Sequence, residues 1–211
     1  MKKENKQIFE FRGVDECYYA KLLCDTAEKI EYETPKKLNV QEVGKATESS
    51  SETHYYNNKA ALVINSEGAD TITLIVAPPE LSTLAALTGK SFDETTGMMI
   101  DGERSDDYYA LLYRTKGTDG AYRYVVRSKG TFGIPEESVK TQDNGTETTN
   151  TTFTFTGIFT EHEFEKGVYK DGEWKKGAVK GVVIDERYGK VDLENIFATV
   201  PTPDTVEAIQ G

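Results

Sequence analysis

The chain has 211 residues, of which 36 are acidic and 25 are basic, so its formal net charge at pH 7 is −11. This excess of acid argues against a nucleic-acid-binding surface, because phosphate neutralisation needs clustered lysine and arginine. Hydrophobic residues make up only 37% of the chain, which favours a soluble protein with extended arms or long loops over a compact enzyme.

Residues 1–10 form a predicted N-terminal arm. Its basic start is not followed by the apolar region of a signal peptide, and no later run approaches the ~18 apolar residues of a membrane-spanning helix. We therefore expect no membrane anchoring and no export by that route. The aromatic and apolar run from Tyr18 to Leu23 then predicts a first strand over residues 15–24.

Residues 44–58, GKATESSSETHYYNN, are rich in serine, threonine and glutamate and contain almost no aliphatic side chains. Such a segment cannot fill a core. It predicts either an exposed loop or a long hairpin, and in both cases one that becomes ordered against something else.

The next segment predicts two strand pieces separated by a turn at residues 66–70, and the second piece alternates threonine with aliphatic residues from Thr71 to Val76. Residues 78–90, PPELSTLAALTGK, predict one helix. Proline suits its start, Gly89 suits its end, and Leu81, Leu84 and Leu87 are expected on a single face.

A hairpin is predicted where YYALLYR and AYRYVVRSKGTFG flank a turn with two glycines. The run TTFTFTGIF then predicts a half-buried strand. Period-two alternation places Phe153 and Phe155 on a buried face and Thr152, Thr154 and Thr156 on a face that meets water or a partner.

Catalytic chemistry has little support in the sequence. His54 and His162 are the two histidines, neither lies in a recognised catalytic context, and the cysteines and histidines lack paired zinc-ligand spacing. The acidic residues of DGERSDD at 101–107 are the clustered carboxylates that a calcium site or a hydrolase would use, although a solvated loop explains them too. We expect no catalytic, cofactor-binding or metal-binding residues, and no enzyme activity.

Aromatic residues leave open a binding module of another class. Trp174 and tyrosines such as Tyr18, Tyr55, Tyr108 and Tyr122 are compatible with an aromatic platform on a carbohydrate-binding or adhesin β-sandwich. The same residues are also explained as core and interface side chains, because neighbouring rings in a strand point to opposite faces.

An ordered series of segments resembles a known family. FRGVDECYYAKL, ETPKKLNV, HYYNN, PPELSTLAALTGKSFDETTGMMI, DDYYALLYR, YRYVVRSKGTFG and TTFTFTGIF together resemble the major tail protein, or tail tube protein, of long-tailed, non-contractile phages of Gram-positive hosts. The resemblance runs from about residue 9 to 160 and continues more weakly to DLENIF.

The resemblance implies a mainly β fold: a β-sandwich or barrel of the phage tail tube type with one flanking α-helix and extended arms or loops. Residues 11–200 would form this domain, between arms at 1–10 and 201–211. It implies a structural subunit of the virion tail, assembled in the host cytoplasm from hexameric rings that stack into a hollow tube. Its partners would be itself, the tape-measure protein and other tail proteins, while viral DNA passes through the lumen without specific binding.

Two candidate surfaces follow from this implied assembly. The threonine face of Thr152, Thr154 and Thr156 is expected either toward a water-filled lumen or at a hydrogen-bonded seam between subunits. A ring-stacking loop is expected within the polar 44–58 segment, because a long loop with little apolar content gains order only from a neighbour. Its residues are Thr47, Glu48, Ser49, Ser50, Ser51, Glu52 and Thr53.

Overall fold

The computed structural model describes residues 8–57, 59–136 and 150–209, so residues 1–7 of the predicted N-terminal arm lie outside the described residues. The described residues form thirteen strands, one α-helix and two short 3-10 helices. The strands are β1 (Phe11–Asp25), β2 (Ile30–Tyr32), β3 (Lys36–Lys37), β4 (Val40–Tyr56), β5 (Lys59–Val76), β6 (Ser91–Asp93), β7 (Met98–Ile100), β8 (Tyr109–Gly117), β9 (Tyr122–Phe132), β10 (Thr151–Gly157), β11 (Phe164–Lys170), β12 (Glu173–Gly177) and β13 (Gly181–Asp185). The α-helix is α1 (Leu81–Thr88), and the 3-10 helices are Glu186–Tyr188 and Ile196–Ala198.

One antiparallel sheet dominates the fold, in the order β2-β1-β8-β9-β10-β5-β4. Strand β9 has two consecutive partners on one of its edges: β13 pairs with its first half, and β10 pairs with its last residues. Gly130 lies where β10 begins to pair, and a Cβ atom there would overlap the ring of Phe155 and the carbonyl of Thr156. Close packing of β9 on β10 therefore requires glycine at this position.

The central strands β1, β8 and β9 are covered on both faces. Alternation along β1 places Tyr19 in one buried cluster and Ala20 in another, and the same division occurs along β8 between Leu111 and Leu112. The first cluster also receives side chains from β5, β10 and α1, namely Ile72, Leu74, Val76, Leu87, Phe153 and Phe155. Strands β10, β5 and β4 thus fold over one face of the central strands, as in a sandwich, which confirms the predicted mainly β fold with one helix.

The second cluster is closed by the chain after β13. Phe197 and Val200 pack on Ala110, Leu112 and other small or apolar side chains of the central strands. The ring of Phe197 lies 5.6 Å from that of Tyr18, measured between centroids. This C-terminal segment therefore acts as the second layer on that face.

Helix α1 begins after the two prolines and ends at Gly89, whose φ of 69° is left-handed. The Gly89 N–H donates to the Ala86 carbonyl, which closes the last turn. Leu87 is buried and Leu84 partly buried, but Leu81 is 43% exposed. The prediction that the three leucines share one face was therefore wrong at Leu81. Each step of three residues turns an α-helix by 300° rather than by a full circle, so two such steps, from Leu87 back to Leu81, move the side chain off the buried face.

Candidate functional site

Strand β10 carries the predicted threonine face. Phe153 and Phe155 are fully buried, whereas Thr152, Thr154 and Thr156 are exposed on the opposite face. Burial of the two rings against Phe132 fixes the register of the strand, since a slip by one residue would reverse both faces. The predicted alternation is confirmed, and what this face contacts stays a prediction.

Neighbouring strands extend the threonine face sideways. Thr154 is opposite Thr73 of β5, and Thr156 is opposite Thr71. On β4 the next positions across are Gly44 and the equally small Ala46. Directly opposed residues of antiparallel strands share a face, so these side chains form one surface of small, uncharged groups. We call this surface, consisting of Gly44, Ala46, Thr71, Thr73, Thr152, Thr154 and Thr156, the threonine face.

The seven residues predicted as a ring-stacking loop, Thr47 to Thr53, are part of strand β4. The prediction of a loop is therefore wrong, and these residues form the alternative structure, a long hairpin. The register runs from Thr47 opposite Asp70 to Tyr56 opposite Lys59. The predicted turn at residues 66–70 is also wrong, because β5 continues through it. Beyond Thr47 this hairpin is roughly 30 Å long at ~3.3 Å per residue.

The far end of the β4–β5 hairpin exposes large apolar side chains. Tyr55 and Tyr56 are 68% and 64% exposed, and the exposed run on β5 is Leu62, Val63 and Ile64. Consecutive residues of a strand point to opposite faces, so both faces of this two-stranded ribbon are apolar. A two-stranded hairpin is marginally stable in water by itself. Exposed apolar side chains such as those at the end of the β4–β5 hairpin are typical of surfaces that another molecule covers.

The root of the hairpin is held by a buried carboxylate. Asp70 is 1% exposed and accepts a hydrogen bond of 2.8 Å from the Thr47 hydroxyl. Its oxygens lie 3.2 Å from Lys45 Nζ, 3.3 Å from the Arg127 guanidinium and 3.6 Å from Lys180 Nζ. We call these five residues the Asp70 cluster. It joins β4, β5, β9 and the chain before β13.

Burial by itself would raise the pKa of the Asp70 carboxyl, but the Thr47 and Lys45 hydrogen bonds and the charges of Arg127 and Lys45 outweigh it. The pKa is therefore lowered, and the side chain is ionised at neutral pH. Lys180 also forms a 2.6 Å ion pair with Glu67 farther along β5. The cluster thereby fixes the direction in which the hairpin leaves the sheet.

Aromatic rings and arginines hold the start of the described chain. The Arg187 guanidinium carbon lies 3.6 Å from the centroid of the Phe9 ring, and that of Arg123 lies 4.4 Å from the Phe11 ring. Arg187 is itself held by ion pairs to Asp119 and Asp185 of 2.7 and 2.9 Å. These stacked cations anchor the chain beside the β8–β9 turn.

The residues that catalysis would use are dispersed among the described residues. His54 lies in the β4–β5 hairpin and His162 lies before β11. Within the described ranges no group of three or more histidine, cysteine, aspartate or glutamate side chains has metal-binding geometry. Burial raises the pKa of the Cys17 thiol to about 12. In that protonated state the thiol is a packing group rather than a nucleophile.

The aromatic residues of the alternative, a carbohydrate-binding platform, are also dispersed. Trp174 packs edge-to-face on Tyr169 at 5.1 Å in the separate β11–β12 hairpin. Tyr18 instead packs against Phe197 in the second cluster, and Tyr55 lies at the end of the β4–β5 hairpin.

In the described part of the chain, none of the helices has the length and apolar character needed to traverse a bilayer.

The sequence predicted the alternation of β10 and the polar character of residues 47–53, with a hairpin as one of two alternatives for that segment. It did not predict the Asp70 cluster or the apolar end of the hairpin. Residues 62–64, LVI, belonged to a predicted strand. Their exposure was not predictable, because it depends on whether another element of the described chain covers them.

A family model described as phage tail tube protein matches residues 28–189. No curated protein matches the chain.

Proposed function

Because the chain belongs to the phage tail tube protein family, we propose that it is the structural subunit of a tail tube, assembling into hexameric rings that stack into a hollow tube for viral DNA. The observation that carries the proposal is the β4–β5 hairpin, with apolar side chains exposed on both faces of its far end. A second copy of the chain would cover this surface and supply the missing burial.

Ring stacking through this hairpin is the first part of the proposal. From Glu48 to Thr53 the strand is polar and exposed, and the apolar residues lie beyond it. In an assembled tube the apolar end would be buried in the next ring, and the polar strand would cross the boundary between rings. The Asp70 cluster supports this role because it holds the hairpin in one direction before assembly.

The threonine face is proposed to line the lumen. Its seven residues are small and uncharged, Ile75 opposite Thr152 adds one apolar side chain, and Glu42 opposite Ile75 adds a negative charge. A wall that has no lysine or arginine does not bind phosphate, so DNA passes it with little friction. The overall net charge of −11 likewise disfavours binding of phosphate. The tape-measure protein, other tail proteins and assembly in the host cytoplasm belong to the same proposal.

Electron microscopy of the purified protein tests the proposal. One sample is the full chain, and the other has residues 48–69 replaced by Asn-Gly, which closes the hairpin at the Thr47–Asp70 pair with a two-residue turn. We expect rings and hollow tubes from the full chain and unstacked rings or monomers from the shortened chain. A full chain that stays monomeric at every concentration, alone and with the other tail proteins, would contradict the proposal.

A further inference from the structure

A β-bulge interrupts the β4–β5 hairpin just beyond the main sheet. Thr47 is opposite Asp70. The next pair is Ser49 with Glu67, so one residue of β4 faces two residues of β5 between these pairs. The pairing of β5 with β10 also ends at Asp70. Since an extra residue is left unpaired and bends its strand, the hairpin beyond the bulge is a two-stranded ribbon that joins the sheet at a bend. We call this ribbon, residues 49–67, the outer hairpin.

Lys180 reaches across this bulge from the body of the molecule. Its side chain is 7% exposed, and its Nζ lies 3.6 Å from Asp70 on the sheet side of the bulge. The same Nζ donates to the Gly68 carbonyl within the bulge and, at 2.6 Å, to Glu67 Oε1 on the far side. One ammonium group therefore contacts β5 before, within and after the bend.

The other cations of the Asp70 cluster act only on the sheet side of the bulge. Lys45 and Arg127 contact Asp70 itself, as does the Thr47 hydroxyl. Among the hydrogen bonds and ion pairs of the described residues, those that join the body to the outer hairpin beyond the β4–β5 ladder come from Lys180. The cluster thus holds the root of the hairpin, whereas the angle of the outer hairpin depends on Lys180.

The backbone that carries Lys180 is itself fixed to the body. The Lys180 carbonyl accepts a hydrogen bond of 2.9 Å from the Ser128 N–H of β9, and the Val179 carbonyl accepts one of 3.0 Å from the Thr160 N–H. The Phe159 ring lies 5.1 Å from Lys180 Nζ, measured to its centroid. A buried side chain that starts from a fixed backbone and ends on three acceptors acts as a strut.

We propose that Lys180 is the positioning residue of the stacking hairpin, which sets the angle of the outer hairpin before a second copy binds it. The inference rests on the proposed stacking function and gives Lys180 a role separate from stability. The apolar end lies roughly 20 Å beyond the bulge at ~3.3 Å per residue, so a rotation of about 20° at the bulge moves it by roughly 7 Å. A hairpin that already points at its binding surface loses less conformational freedom on docking.

Distances between two spin labels test the angle on dilute, unassembled protein. The labels are placed at Ser51→Cys in the outer hairpin and Lys37→Cys in the body, in a Cys24→Ser background in which Cys17 is buried. We expect a narrow distance distribution when the strut is intact. Substitutions that cut the strut should broaden the distribution by roughly twofold, because the bulge is then free to bend.

The substitution Glu67→Ala cuts the contact beyond the bulge and leaves the Asp70 cluster complete. Its matched control is Glu52→Ala, which removes an exposed carboxylate of the same hairpin that pairs with His54. Lys180→Met removes the whole strut, and its control is Lys175→Met, on the separate β11–β12 hairpin. We expect broad distributions for Glu67→Ala and Lys180→Met and narrow distributions for both controls.

Assembly measurements separate positioning from stability. Glu67→Ala should raise the protein concentration for half-maximal assembly by roughly tenfold, because each hairpin must be ordered when it docks. The side chain of Glu67 is 59% exposed, so Tm should change by less than about 2 °C. A merely structural role would change Tm and assembly together.

The outcomes distinguish this inference from the proposed function. Distributions as narrow as that of the wild type in both Glu67→Ala and Lys180→Met overturn the inference, and wild-type tubes then leave the tube function intact. Broad distributions with unchanged assembly overturn the connection between the angle and stacking. A wild-type chain that forms no tubes, alone or with the other tail proteins, contradicts the proposed function instead, whatever the label distances show.

Discussion

Replacing Asp70 by asparagine tests how the long hairpin is anchored. The change keeps the side-chain volume and the hydrogen bond from Thr47, but it removes the negative charge that faces Lys45, Arg127 and Lys180. Removing one partner of a buried ion pair costs about 3–5 kcal/mol, because the remaining charge stays buried without compensation. Asp70 is 1% exposed and the side chains of Arg127 and Lys180 are 12% and 7% exposed, so the buried-pair figure applies.

Since asparagine retains one hydrogen bond, we expect the lower limit, a loss of about 3 kcal/mol in the free energy of unfolding. For a chain of this length that corresponds to roughly 6–12 °C in Tm. Thermal and urea unfolding followed by circular dichroism measure it on unassembled protein. The matched control is Asp171→Asn, because Asp171 is exposed at the β11–β12 turn and its φ of 58° suits asparagine.

The lowered pKa of Asp70 determines how the stability difference between wild type and Asp70→Asn changes with pH. The pKa of Asp70 is lowered in the folded protein from its ordinary value of 3.8. The contribution of the ionised side chain to the free energy of unfolding is therefore complete above that pH and disappears as the pH falls through the folded pKa. The stability difference between wild type and Asp70→Asn should therefore be constant near neutral pH and vanish in acid. Equal stability of Asp70→Asn and Asp171→Asn at pH 7 would refute the account of the cluster.

Three further changes test the packing. Phe153→Ala should cost about 4 kcal/mol in urea unfolding, whereas its neighbour Thr154→Ala should cost less than about 1 kcal/mol, and similar values would contradict the two-faced strand. Gly130→Ala should cost about 1–3 kcal/mol because its Cβ overlaps the ring of Phe155, and an unchanged Tm would show that β9 and β10 pack less closely. Arg187→Ala should speed proteolysis of the N-terminal segment that its guanidinium covers, without a matching loss of global stability.

The regular parts of the fold were predictable because local patterns agree with tertiary packing. The Thr-Phe alternation of β10 identified both the strand and the buried face, since burial of Phe153 and Phe155 is the strongest force on that segment. Gly89 identified the end of α1 because few other residues adopt a left-handed conformation without strain. The hairpin of β8 and β9 was predicted for the same reason, from turn glycines between two aromatic strands.

The β4–β5 hairpin could not be predicted fully, because its order depends on contacts between distant residues. Serine and threonine in β4 have no local pattern that separates a loop from an exposed strand, and pairing with β5 decides between them. Gly68 and Asp70 predicted a turn from composition alone. Asp70 instead remains in the strand, where cations from β9 and from the chain before β13 hold it.

Cryo-electron microscopy of assembled tubes tests the central claim most directly. The account predicts a hollow tube in which Thr73 and Thr154 face the lumen and residues 55–56 and 62–64 are buried against a copy in the next ring. A map in which the hairpin ends remain in solvent, or in which the threonine face is turned away from the lumen, would contradict it.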